Sequence, residues 1–256
     1  MKNSRVAVPP RRRAAVLVAF AAIGLCLAFG CSTDRKAYKS DPPAPPKMTL
    51  AQYEVGEWAT RRSFVPASLS EAGMRAEAIF SAAAANDWPD AQSEFRWFAT
   101  GVEQLNQDID DQEELKGQLS SALMSLGVAI NAEDRLGTLG GANSVIEILV
   151  QMEGPLSPVI PIYVKLMGVY GRQIQLVAPS GNTDDLAALA YAIHTAWYIF
   201  RPQVALMSDD VATFDSIVSG LDSATLPGEY EDYARQLLSA VSGMESHFRE
   251  QAAGAY

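Results

Sequence analysis

Residues 154–158 read Gly154-Pro155-Leu156-Ser157-Pro158, and no regular helix or strand runs through them. Each proline removes a backbone N–H and crowds the preceding turn, while glycine adds conformational freedom. On both sides the apolar residues recur at helical spacing. Upstream, Leu136, Leu139, Val145, Ile146, Leu149 and Val150 mark a helix from about Glu133 to Met152. Downstream, a helix over about Val159 to Ala178 has Pro161 in its first turn, where proline is tolerated.

The same signals repeat outward from this break. Ser68 with Glu71 three positions on reads as a capping box opening a helix that runs to about Ala85. Asn86-Asp87 turns the chain, and Asp87 caps a second helix with Trp88-Pro89 in its first turn and Phe95, Phe98, Val102 and Leu105 along it. A third starts near Asp110-Asp111 and carries Leu115, Leu119, Leu123, Leu126 and Ile130. Beyond the break, Pro179-Ser180-Gly181-Asn182 stops the fifth helix, Thr183 caps a sixth over about 184–200, and Pro202 ends or kinks it. Ser208-Asp209-Asp210 opens a seventh, Pro227-Gly228 breaks it, and the last spans about Glu229 to Gln251. No stretch alternates as a strand does.

The expectation is an all-α fold of about eight antiparallel helices, since the connections are short. Two four-helix units, 48–153 and 159–251, would pack on each other; the alternative is a short solenoid of α-hairpins. Turns near Asn86, Asn131, Asn182 and Pro227 suit either. The pairs Trp97/Trp197 and Asp110-Asp111/Asp209-Asp210 hint at a duplication. Gly140-Gly141 marks a place for close helix approach.

The first 47 residues have a different character. Lys2, Arg5, Arg11, Arg12 and Arg13 precede an apolar run from Ala14 to Phe29, and Ala28-Phe29-Gly30-Cys31 ends it. A basic segment, an apolar segment shorter than a bilayer span and small residues at its end form a secretory signal. With the cysteine directly after Gly30, this leader resembles that of bacterial lipoprotein precursors, although Ala28 stands where leucine is usual. The resemblance implies a signal peptide over 1–30, removed by cleavage before Cys31, and a lipid on the Cys31 thiol. Arg11-Arg12 lacks the flanking residues of a twin-arginine signal, which favours general secretion. Cys26 would leave with the leader, so the mature chain would hold no free thiol and no disulfide. Ser32 after the cysteine favours, by the same resemblance, the outer membrane of a diderm host, facing the periplasm. Residues 31–47, with Asp41-Pro42-Pro43-Ala44-Pro45-Pro46, read as an extended tether. Leu50, Tyr53, Trp58 and Phe64 then suggest a short amphipathic helix.

The chain has 20 basic and 30 acidic residues, a net charge of −10. The leader holds five of the basic residues and no acid, so removing it leaves 15 against 30, or −15. A domain that acidic lacks the clustered cations that nucleic acid requires.

Few residues invite chemistry. Tyr191, His194 and Tyr198 fall at i, i+3 and i+7 on one helix face, and with Trp197 they suggest a binding pocket. The acidic run from Asp108 to Glu114 does not fit a calcium loop: Glu113 falls where the turn glycine belongs and Leu119 where the bidentate glutamate belongs. Asn143, Glu147 and Gln151 form a polar stripe expected to face water, the alternative being a Glu147 buried with a raised pKa or paired with Arg172 or Arg96. Neither His194 nor His247 has a glutamate three residues before it, so a di-iron pattern fails. The methionines are scattered core filler, and no phosphate loop or nucleophile elbow is present. No cofactor and no catalytic residue is expected. The sequence points to a non-enzymatic lipoprotein joined to the bilayer through Cys31 and bound to an envelope protein. A small-molecule or metal carrier using the Tyr191/His194/Trp197/Tyr198 face is the alternative.

Overall fold

The computed structural model describes residues 65–109, 112–156, 158–204 and 211–254. The leader, Cys31, the tether, the segment 48–64, Asp110-Asp111 and Ser208-Asp209-Asp210 lie outside the described residues. The described residues form eight α-helices and no strand: α1 (Ala67–Ala85), α2 (Trp88–Asp108), α3 (Glu113–Asn131), α4 (Arg135–Glu153), α5 (Ile162–Val177), α6 (Thr183–Val204), α7 (Val211–Ser223) and α8 (Pro227–Gly254). A 3₁₀ turn, Ala178–Ser180, follows α5. No helix among them is long and apolar enough to cross a membrane.

Local chemistry sets most ends. Asn86 closes α1 in the left-handed region at φ 58°, and Asp87 accepts from the Asp90 N–H to cap α2. Asp134 accepts from Gly137 and caps α4. Glu229 accepts the N–H groups of Thr225 and Leu226 with one oxygen, which holds its carboxyl below the ordinary range and fixes the start of α8. Three expectations change. Pro66 starts α1 ahead of Ser68, so the Ser68 hydroxyl is not a cap and donates instead to Asp108 at the end of α2, at 2.6 Å. Asn182, not Thr183, accepts from the Asp185 N–H at the start of α6. Pro202 sits inside α6, which continues to Val204.

The helices close into two rings. α1 packs on α2 and α4, while α3 packs on α2 and α4. α5 packs on α6 and α8, and α7 packs on the same two. Contact between α1 and α4 closes a bundle, where stacked hairpins of a solenoid would leave those helices apart. Each ring surrounds its own apolar core, and both belong to one compact unit, Gln52–Tyr256. In α8 the stripe Tyr230, Ala234, Leu237, Val241, Met244 and Phe248 is buried at spacings of four and three, the expected amphipathic pattern. Trp197 stacks on Phe214 with ring centroids 4.8 Å apart, and Phe200 lies 6.1 Å from Phe248. Full burial of one such side chain contributes about 1.5–3 kcal/mol.

α5 joins the rings. Its Val164, Met167 and Ile174 belong to the C-terminal core, while Val169 lies in the N-terminal core. Two glycines allow close approach elsewhere: a methyl group on Gly141 would meet Leu126 of α3 at 3.2 Å, and one on Gly171 would meet Leu238 of α8 at 3.2 Å. The hinted duplication does not extend to packing. Trp197 is buried, whereas Trp97 is 61% exposed under the Arg75 guanidinium.

At the α7–α8 contact a methyl group on Gly220 would lie 2.2 Å from the Tyr233 ring. Gly220→Ala must therefore displace that ring, and it is expected to destabilise the fold by about 1–3 kcal/mol. A thermal or urea melt measures the loss, and an unchanged midpoint would show that the ring moves aside freely.

Candidate functional site: the seam between the two bundles

The polar residues of α4 meet α5. Asn143 is 1% exposed. Its side-chain amide donates to the Val169 carbonyl and to Gln173 Oε1, both at 3.1 Å, and its oxygen accepts from Arg172 Nε at 2.9 Å. Arg172 also pairs with Glu77 of α1 at 3.2 Å, and its guanidinium lies 5.5 Å from the Phe80 ring centroid. Burial raises the Glu77 carboxyl above its ordinary pKa; Arg172 and Lys165 act against that, and Glu245 adds to it. So α1, α5 and α8 bring charges within electrostatic reach of one another. The Asn143–Glu147–Gln151 stripe, expected to face water, runs along this seam at Asn143 because α5 supplies the partners an amide needs when buried.

Glu147 is less well served. It finds no cation among the described residues, only Gln151 Nε2 at 3.5 Å, and burial alone pushes its carboxyl up. Tyr170 of α5 is raised in turn, by burial first and by the Glu147 charge second.

At the far end of the seam is a cavity of about 340 Å³. Its apolar wall comprises Val65, Pro158, Val159, Ile160 and Ala252; its polar lining comprises Ser70, Glu153, Lys165 and Arg249. Glu153, in the last turn of α4, is 6% exposed and bonded to Lys165 in the first turns of α5. The break at 154–158 that separates the bundles thus also places this ion pair, by folding α5 back along α4. Arg249 donates to Glu245 at 2.9 Å. The lining offers one hydroxyl, that of Ser70, and neither imidazole nor thiol.

The residues expected to form a pocket on α6 are divided by the helix. Trp197 is 3% exposed and points into the core, where its indole N–H donates to Asp215 at 2.9 Å. Tyr191 and Tyr198 are 49% and 73% exposed on the other side. His194 lies on that outer side, with Nδ1 2.6 Å from Asp222 of α7. The three outer residues share a face, whereas Trp197, one residue before Tyr198, lies about 100° round the helix from it and turns into the core. Asp215 also accepts two bonds from Arg201, at 2.8 and 2.7 Å; these, ahead of the Trp197 bond, hold its carboxyl below the ordinary range. His247 meets Gln251 at 2.7 Å. Among the described residues no three His, Cys, Asp or Glu side chains are grouped to hold a metal ion.

Sequence reasoning passed over Glu77, Glu153, Lys165 and Arg249, and considered Arg172 only as a partner for Glu147. Glu153 and Lys165 had one legible signal, each being a lone charge among apolar residues beside the break. Arg249 had none, because only folding brings the end of α8 to the start of α5. No family model matches the chain, and no curated protein or solved structure matches it.

Two substitutions test this seam. Asn143→Ala leaves the Arg172 and Gln173 side chains without their buried partner, and should lower stability by about 1–3 kcal/mol in chemical denaturation. Glu147→Gln should act in the opposite direction. With the folded pKa raised, the wild-type contribution is full below the unfolded pKa and is lost as pH rises through the folded one. Glutamine never charges, so the variant should match wild type below about pH 4 and melt higher at pH 7, by up to about 3 °C. Melting curves across that range decide it; a variant less stable at pH 7 would mean that the carboxylate has a favourable role.

Proposed function

We propose that this protein is a lipid-anchored lipoprotein of a bacterial cell envelope, held to the membrane through an acylated Cys31, whose all-α domain binds another envelope protein and carries out no reaction of its own. In a diderm host it stands on the outer membrane and faces the periplasm. The observation that carries the binding role is the outer face of α6. Tyr191 and Tyr198 stand 49% and 73% exposed, with His194 between them bonded to Asp222. At 1.5 Å per residue these side chains span about 10 Å of one face. Tyrosine supplies a large apolar surface with a polar tip at little entropic cost, which is why it is enriched at protein interfaces. The His194–Asp222 and Arg201–Asp215 pairs brace α6 against α7 and hold that face rigid. The lipid anchor rests on the leader and on Cys31 in the sequence. The acidic balance favours a partner with a basic surface.

Crosslinking in living cells with a Tyr191→Ser/Tyr198→Ser chain tests the surface. Recovery of the partner should fall at least about tenfold, as expected when aromatic anchors are lost, while the melting temperature stays at the wild-type value because both rings are outside the core. Equal recovery would remove the α6 face from the interface. Mass measurement of the processed chain tests the anchor: an amino-terminal Cys31 bearing acyl groups is expected, and an unmodified Cys31 would end the lipoprotein reading.

A further inference from the structure

The cavity at the end of the seam is lined by hydrogen-bond donors that its own residues leave unfilled. Lys165 is 24% exposed in its side chain, and its ammonium bonds only to Glu153. An ammonium has three donors, and among the described residues the others meet no protein acceptor. Arg249 gives one N–H to Glu245, and among the described residues the rest of its five-donor fork has no acceptor. Both cations line one cavity, opposite the apolar wall of Val65, Val159, Ile160 and Ala252.

We propose that this cavity binds a small amphipathic monocarboxylate. The carboxylate accepts from Lys165 and Arg249, and the hydrocarbon lies on the apolar wall. Three features set this chemistry. The open groups on the cations are donors, and a carboxylate is the acceptor that matches a guanidinium fork. Glu153 and Glu245 already balance Lys165 and Arg249, and Glu77 is within electrostatic reach of Glu245 and Lys165, so a second negative charge on the ligand would meet repulsion. A volume of about 340 Å³ sits at the lower end of small-molecule sites, roughly 300–1,000 Å³, which fits a short chain. The site is remote from Tyr191 and Tyr198 in its lining and stands apart from the protein-binding reading.

The test is calorimetric titration of the processed chain in nanodiscs with hexanoate, using empty nanodiscs as the blank and hexanol and hexylamine as comparisons. Saturable binding of hexanoate is expected, tighter than that of hexanol, with hexylamine weakest. From butanoate to hexanoate the affinity should rise by up to about fourfold for each methylene buried. Arg249 is exposed near the end of α8, so Arg249→Gln should keep the wild-type melting temperature and weaken hexanoate about tenfold through loss of a charge-assisted bond. Val159→Asp, at a position 37% exposed, places a carboxylate on the apolar wall and should weaken hexanoate while sparing the fold. No saturable heat up to about 10 mM would overturn the proposal, since that lies beyond any specific site of this size. So would hexanol binding as tightly as hexanoate, or both folded variants binding hexanoate as wild type does.

Discussion

The buried amide of Asn143 constrains how the two bundles meet. A side-chain amide taken out of water without partners costs several kcal/mol against an apolar reference, so it must be satisfied. α4 cannot do so, because its own carbonyls are used along the helix. α5 supplies a backbone carbonyl, a Gln173 oxygen and the Arg172 guanidinium, and Arg172 extends the network to Glu77 on α1. Apolar contacts tolerate small shifts, whereas this network has geometry that only one register of α4 on α5 satisfies. From that register follow the position of Glu153 beside Lys165 and the cavity at the end of the seam.

The charges are distributed in keeping with this seam. In a chain of net charge −10, most cations on the described helices are held in pairs: Arg75 with Glu71 and Glu94, Arg172 with Glu77, Arg201 with Asp215, Arg235 with Asp232. The exposed pairs along single helices contribute little, about 0.3–0.5 kcal/mol each. Those that cross helices matter for placement. Arg75 ties α1 to α2, Arg172 ties α5 to α1, and Arg201 with Trp197 ties α6 to α7 through one carboxylate. The last of these also explains how a tryptophan enters the core without an orphaned N–H: Asp215 reaches it from a half-exposed position.

α6 shows how one helix serves packing and surface together. Leu186, Ala190, Ile193, Trp197, Phe200 and Val204 form its buried stripe. Tyr191, His194 and Tyr198 occupy the opposite side, out of the core. His194 on that side still ties α6 to α7 through Asp222, while the two tyrosine rings lie outside the core. The seam cavity differs in character: it is lined by Lys165, Arg249, Glu153 and Ser70 together with small apolar side chains.

The fold class was legible in the sequence because helix signals are local. Period, caps and prolines act within a turn or two, and the break at 154–158 together with Asp87 and Asn86 set boundaries that no tertiary contact overrides. Where a local signal was misread, as at Ser68, a neighbouring proline had already started the helix and freed the hydroxyl for a longer-range bond. The expected pocket on α6 failed to close for another reason: helical spacing states which residues share a face, and only packing states which face is buried. The same holds for Asn143, whose polarity suggests water until α5 is in place. The meeting of the seam groups was out of reach. Glu77, Arg172 and Arg249 are far apart along the chain, and their meeting depends on how two closed bundles dock. The sequence by itself determined the helices and their order. The tertiary structure alone decided which polar side chains were buried as partners and which aromatic ones were left in water, because burial depends on contacts between residues distant in the chain.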